Sequence, residues 1–300
     1  MKIITLTSIL ILTSCICLSQ PKISFTFDDG DTNEIAGYPS EKWNQMILDN
    51  LKDNNITSAF FIRGNGFDNE KGRQIIQAWN DAGHMISNHT YSHRNYDAVL
   101  FEDFKNDFLI NDSLINKYSN FTKLFRFPFL KEGETKLKIE QFREFLKEHS
   151  YKNGYVTIDA SDWYINARLI KKLKADSSYL TDEFCKYYLE HLYDRASYYE
   201  KLAYEMTGRN INHTILLHHN LTSALFLGNL IKMFKSRGWI ILNAKEAYTD
   251  SIFDSQPDNV PEGESLIWAL AKQSGKYDSI LRYPAEDSEY EKDKMDKLGL

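Results

Sequence analysis

Three things are scarce in this chain of 300 residues. The first is cysteine. Of three cysteines, Cys15 and Cys17 fall in an apparent export leader, leaving Cys185. One thiol closes no internal disulfide, so stability must come from core burial. Cys185 sits in a helical pattern and reads as a small buried hydrophobe. The second is positive charge. A formal net charge of -6 leaves no basic footprint, which argues against nucleic acid as a partner. The third is an apolar run of membrane-spanning length. Residues 3–12, behind Lys2, are too short to cross a bilayer and remain there. They read as the apolar part of a signal peptide over residues 1–19, and the chain is expected to be secreted or periplasmic. A competing expectation is cleavage before Cys15, whose surroundings resemble a bacterial lipobox; that would leave a lipid anchor at Cys15.

Aromatic residues are plentiful: 18 Tyr, 18 Phe and 5 Trp, in a chain that is 42% hydrophobic. That suffices for one large or two modest domains. Most of these rings are expected in the core, and some as stacking platforms for sugars. The pattern alternates strand and helix. Strands are expected near residues 23, 57, 84, 123, 154, 212 and 239, with amphipathic helices over 41–54, 69–82, 101–118, 135–149 and 223–237 between them. Such alternation predicts a parallel sheet covered by helices. Ionisable residues cluster just after five strand ends, which favours a barrel with its site on the C-terminal face over an open sheet. The fold expected is α/β: a distorted TIM-like (β/α) barrel of about seven parallel strands. It occupies 20–250 and carries a helical insertion near 164–207. Residues 251–300 form a charged extension packed on or trailing from the barrel, and the tail from 286 reads as solvated.

The stretch ISFTFDDGD, residues 23–31, is the densest signal. Ile23, Phe25 and Phe27 alternate as in a buried strand, which then ends in Asp28 and Asp29. Two adjacent carboxylates at the end of a core strand need compensation, such as a cation. His89 and His93, in NHTYSH, are four residues apart. On a helical turn that spacing directs both rings the same way, which suits one metal ion. With a carboxylate from the first strand they would leave open coordination positions, as in a catalytic centre.

The motifs TFDDGD, NHTYSH, RFPF, DASDW and LLHHN occur in this order. Together they resemble the polysaccharide deacetylases, the NodB-like domain of carbohydrate esterase family 4, from about residue 23 to 242. The resemblance implies a distorted barrel and metal-dependent removal of acetyl groups from an acetylated polysaccharide or oligosaccharide. N-acetylglucosamine in chitin or peptidoglycan is the target it favours. It implies a divalent ion, zinc first, with cobalt, nickel or manganese as alternatives. Asp29, His89 and His93 would be the ligands and Asp28 the general base, held by Arg126. The backbone N–H of Phe129 would face the oxyanion. Asp162 and Trp163 would position the acid His218 and wall the pocket, with Tyr91 along the groove. Three positions depart from the family pattern. Asp31 stands in place of Pro and is expected to turn outward. His219 stands in place of Asp, and strand alternation should send it away from His218. Phe129 stands in place of Tyr. Asp159 is expected to cap the next helix. His84, His149, His191 and His213 are read as structural or surface residues. Two alternatives remain open at this level: a catalytically silent carbohydrate-binding protein on the same fold, and an esterase for O-acetyl groups of xylan.

Overall fold

The computed structural model describes residues 20–287 and 289–300. The expected signal peptide, 1–19, and with it the anchor at Cys15, lie outside the described residues. Strand β1, Lys22–Asp29, is buried from Ile23 through Asp28. Ile23, Phe25 and Phe27 join the main hydrophobic core. Between them Ser24 and Thr26 are buried too, and Thr26 is satisfied: its hydroxyl donates to the Ile215 carbonyl at 2.9 Å. A strand buried on both faces is the mark of a sheet covered by helices.

Six more strands follow: β2 Ala59–Ile62, β3 Met85–Asn88, β4 Phe121–Phe125, β5 Lys152–Asn153, β6 Asn212–His218 and β7 Ile240–Ile241. All pairings between them are parallel, in the order β5-β4-β3-β2-β1-β6, with β7 against the start of β1. The helices between them include α1 Ser40–Asp53, α2 Glu70–Asp81, α3 Phe101–Ile115, α4 Lys136–Glu148, α5 Asp162–Ala175, α6 Asp182–Thr207 and α7 Leu221–Ser236. The sheet curls into an incomplete barrel. Its two ends meet only through an isolated bridge, Ile158 to Ile215, where Thr157 and Ile158 both donate to the Thr214 carbonyl.

The strand expected near 154 is therefore displaced. Only Lys152 and Asn153 pair with β4, and the chain then leaves the ladder at Gly154. Gly154 N–H still donates to the Phe125 carbonyl at 2.6 Å, and the position needs glycine, because a Cβ there would lie 2.3 Å from the Phe61 ring. The expected insertion is two helices, α5 and α6. Helix α6 turns Phe184, Tyr188, Leu192 and Tyr199 into the main core.

The tail from 286 is exposed at most of its described positions, as expected, but it is anchored. After α8, Ala244–Ala247, and α9, Leu266–Ser274, the chain forms α10, Lys292–Leu298. Met295 and Leu300 bury in the main core, and the carboxylate of buried Glu291 accepts from the Tyr187 hydroxyl at 2.6 Å. Of the two apolar residues in this two-turn helix only Met295 is buried, which gives almost no periodic signal yet suffices to seat it. No helix among the described residues is long and apolar enough to cross a membrane.

Candidate active site

Parallel register brings the motifs to one level. Asp29 pairs with Ile62, Ile62 with Asn88 and Asn88 with Phe125, while Asp28 pairs with His218. The residues just past these positions share the C-terminal rim of the sheet. There they line a cavity of about 230 Å³ that includes Asp28, Asp29, His89, His93, Trp163 and His218.

The imidazoles do not converge by way of a helical turn, as their spacing suggested. The chain from His89 to His93 is a loop, with left-handed backbone at Thr90 (φ 60°) and His93 (φ 56°). Helix α3 clamps it. Asp107 accepts from the Ser92 hydroxyl at 2.6 Å and from its N–H at 3.0 Å. Asn111 donates to Asn88 Oδ1 at 2.8 Å, and that oxygen also accepts from Thr90 N–H. His89 Nδ1 bonds the Arg126 carbonyl at 2.8 Å, which leaves Nε2 to face Asp29. The His89 and His93 Nε2 atoms lie 3.8 and 3.3 Å from Asp29 Oδ1. That oxygen is buried without a hydrogen-bond partner. An orphaned buried carboxylate oxygen between two imidazoles is what a hard-to-borderline divalent cation would complete. The ligand atoms of Asp29, His89 and His93 lie within 4.8 Å of one another, and the donor set fits such an ion.

Residues 16–145 match the family model described as polysaccharide deacetylase. Over that stretch, somewhat under half of its length, the chain is similar to the polysaccharide deacetylase family. It is 28% identical over 146 residues to the peptidoglycan-N-acetylglucosamine deacetylase of Bacillus cereus, covering 48% of this chain and 47% of the relative. It is 26% identical over 163 residues to the peptidoglycan-N-acetylmuramic acid deacetylase of Bacillus subtilis, covering 52% and 54%. The chain thus spans about half the length of these curated relatives. Its fold resembles that of the chitin deacetylase of Colletotrichum lindemuthianum, with a TM-score of 0.52 at 19% identity over 77% of this chain and 88% of the other.

Within the cavity Asp28 and Asp29 have separate surroundings. Asp28 Oδ1 accepts from Arg126 Nη1, and Asp28 Oδ2 lies 3.8 Å from His89 Nε2. Arg126 is fixed on every side. It donates to Thr26 at 3.1 Å, to the Gly154 carbonyl at 2.9 Å and to the Tyr248 hydroxyl at 3.0 Å, and it stacks 3.8 Å over the Phe61 ring. Burial pushes Asp28 up to about 6, although Arg126 opposes it. Burial would raise Asp29 too, but the nearby imidazoles and Arg63 outweigh it and bring that carboxyl down to about 2. Burial pushes the pKa values of His89 and His93 down, favouring the neutral form that binds metals. Across the cavity, His218 Nδ1 bonds Asp162 Oδ1 at 2.7 Å. Burial opposes the imidazolium there, but Asp162 prevails and raises His218 well above its usual range.

The other expected residues fall as follows. Asp31 accepts from Asn33 N–H and stands outside the metal-ligand group. His219 points away from the cavity, bonding Asn44 at 2.8 Å beside Trp43. Phe129 lines the cavity and packs edge-on to His93 at 4.6 Å. Tyr91 does not line it: its hydroxyl donates to Asp68 at 3.1 Å, on the far side of the loop. Asp159 caps no helix. Ser161 holds the N-cap of α5, while Asp159 is fully buried on Arg195 of α6 at 2.9 Å and on the Ala285 N–H at 2.5 Å. Sequence reasoning missed Tyr248, Asp107, Asn111 and Glu286. The first three act through other residues, and only their types, not their partners, are visible in a sequence.

Backbone strain gathers here. Asp29, Thr90, His93, Phe129 and Leu130 all have φ between 56° and 71° without being glycine. Gly30 has φ 110°, and a Cβ there would lie 2.0 Å from the Phe67 ring. Gly30→Ala is therefore expected to cost about 2 kcal/mol or more in chemical denaturation. A loss below about 0.5 kcal/mol would show that the Asp29–Gly30 turn tolerates a side chain.

Proposed function

We propose that the chain is an exported, metal-dependent hydrolase that removes acetyl groups from a polysaccharide, acting on N-acetylglucosamine units of chitin or peptidoglycan with zinc as its ion. One observation carries the reading. An Asp29–His89–His93 ligand group stands in a single cavity with an arginine-held carboxylate, Asp28, and a carboxylate-held imidazole, His218. The named relatives support the substrate class, and the leader-like residues 1–19 support export.

Asp29, His89 and His93 would hold the ion, which supplies Lewis acidity toward an acetyl carbonyl and the attacking water. The protein's own groups carry the protons. Asp28, with Oδ1 engaged by Arg126, accepts the water's proton on Oδ2 as the oxygen attacks the carbonyl carbon. The Phe129 N–H is assigned to the oxyanion that develops. His218, its Nδ1 fixed by Asp162, gives the Nε2 proton to the departing nitrogen. An amine leaves poorly unless protonated, so the acid is needed more for an amide than for an ester. Acid and base thus face one another with opposite charge states.

Acetate release from acetylated chito-oligosaccharides, peptidoglycan and acetylated xylan, with added Zn²⁺ or Co²⁺ and with chelator, tests the reading. Release is expected from the first two, abolished by chelator and restored by metal. His89→Ala should lose stoichiometric metal by elemental analysis. Tight oligosaccharide binding without acetate from any substrate would replace the enzyme with a binding protein. Release from xylan alone would make it an esterase.

A further inference from the structure

One wall of the cavity comes from far outside the motifs. Glu286, from the segment between α9 and α10, lines it together with His218 and Trp163. Its Oε1 is buried without a hydrogen-bond partner. Trp163 Nε1 is likewise buried and unpartnered. A carboxylate oxygen left bare in a protein interior is costly unless something donates to it. The neighbours of Glu286 show that its position is built. On one side, the Ala285 N–H donates to Asp159 and the Ala285 carbonyl accepts from Ser161 at 3.3 Å. Just before it, Arg195 holds the Tyr283 carbonyl at 3.2 Å. On the other side, Asp287 binds Lys131 at 2.5 Å, two residues beyond Phe129. The strap is thus pinned to α6, to the start of α5 and to the RFPF loop, and Glu286 is held between the pins.

We propose that Glu286 is a substrate-binding residue that selects a neutral N-acetylhexosamine over one carrying a carboxylate substituent, as muramic acid does. The proposal rests on the deacetylase reading and narrows its substrate. A sugar hydroxyl can donate to the bare Glu286 oxygen and accept from the bare Trp163 N–H, so one ring could satisfy both. An acidic substituent would meet Asp28, Asp29 and Glu286; among the described residues no lysine or arginine lines the cavity, and the one imidazolium there, His218, is already paired with Asp162. Fixing the acceptor beforehand avoids the entropy of ordering it on binding.

The test compares wild type, Glu286→Gln, Glu286→Ala and Glu286→Lys, each checked for unchanged metal content and thermal midpoint. Acetate release is measured on chito-oligosaccharide and on a muramic-acid glycan. Wild type should prefer the neutral sugar. Ala should raise KM for it by about 10-fold with kcat within about 3-fold, since a buried acceptor for the sugar hydroxyl is lost, and Gln, which keeps a carbonyl oxygen there, should raise it less. Lys should shift the kcat/KM ratio toward the acidic sugar. Unchanged KM and unchanged preference would overturn the role of Glu286 while leaving the activity intact. If wild type releases no acetate, the deacetylase reading fails, and calorimetric binding of chito-oligosaccharide under chelator decides the residue separately. Affinity weakened by about 10-fold in Ala supports the contact; equal affinity in Ala removes it.

Discussion

Replacing Asp28 by Asn is expected to lower kcat by about 10²–10⁴-fold while the protein keeps its metal. The carboxamide matches the carboxylate in shape and still offers a carbonyl oxygen to Arg126, but it cannot take a proton. Arg126 itself should stay in place. Its bonds to Thr26, the Gly154 carbonyl and Tyr248, and its stacking on Phe61, do not depend on Asp28. The ligand group should stay too, because His89 is oriented by the Arg126 carbonyl rather than by Asp28. Single-turnover acetate release at saturating metal, with elemental analysis of the same sample, separates the two effects. Turnover within 10-fold of wild type at full metal occupancy would take the base role from Asp28. Loss of metal alongside turnover would place it among the ligands instead.

The parts of the site that were readable in the sequence are those fixed by strand ends. A parallel strand that stops in ionisable residues declares both a position and a face, and five such ends in order specify one rim. Asp28, Asp29, His89 and His93 stand out at those ends by residue type, and the resemblance of the five motifs to a known family added Arg126 and His218 to them. Asp159 shows where local reasoning stops. An Asp shortly before a helix resembles a cap, yet its partners are Arg195, 36 residues on, and Ala285, 126 residues on. Nothing local announces either. The Phe61 ring that leaves no room for a side chain at Gly154 is likewise remote, 93 residues earlier in the chain. Glu286 was hidden most completely. It lies in a charged stretch without periodicity, and such a stretch reads as solvated unless its long-range anchors are seen.

Asp162→Asn is expected to lower kcat/KM on an amide substrate by about 10²-fold or more and to move the alkaline limb of its pH profile to lower pH. The sign follows from what acts on His218. Burial lowers the pKa of that imidazole, and the Asp162 carboxylate more than reverses it. With the carboxylate present, the imidazolium survives to higher pH, and the acid is lost as pH rises through the elevated value. With Asn in its place burial dominates, the pKa falls, and the acid is lost earlier. The carboxylate also receives the His218 N–H at 2.8 Å and Asn220 at 3.1 Å, so the substitution loosens the strand end as well. An ester substrate distinguishes loosening from lost acid catalysis. An alkoxide leaves more readily than an amide nitrogen anion, so loss of the acid should penalise the amide more than the ester, whereas a displaced rim should penalise both alike. An alkaline limb that stays in place, with equal losses on amide and ester, would assign Asp162 to the architecture of the strand end and leave the leaving-group proton to another donor.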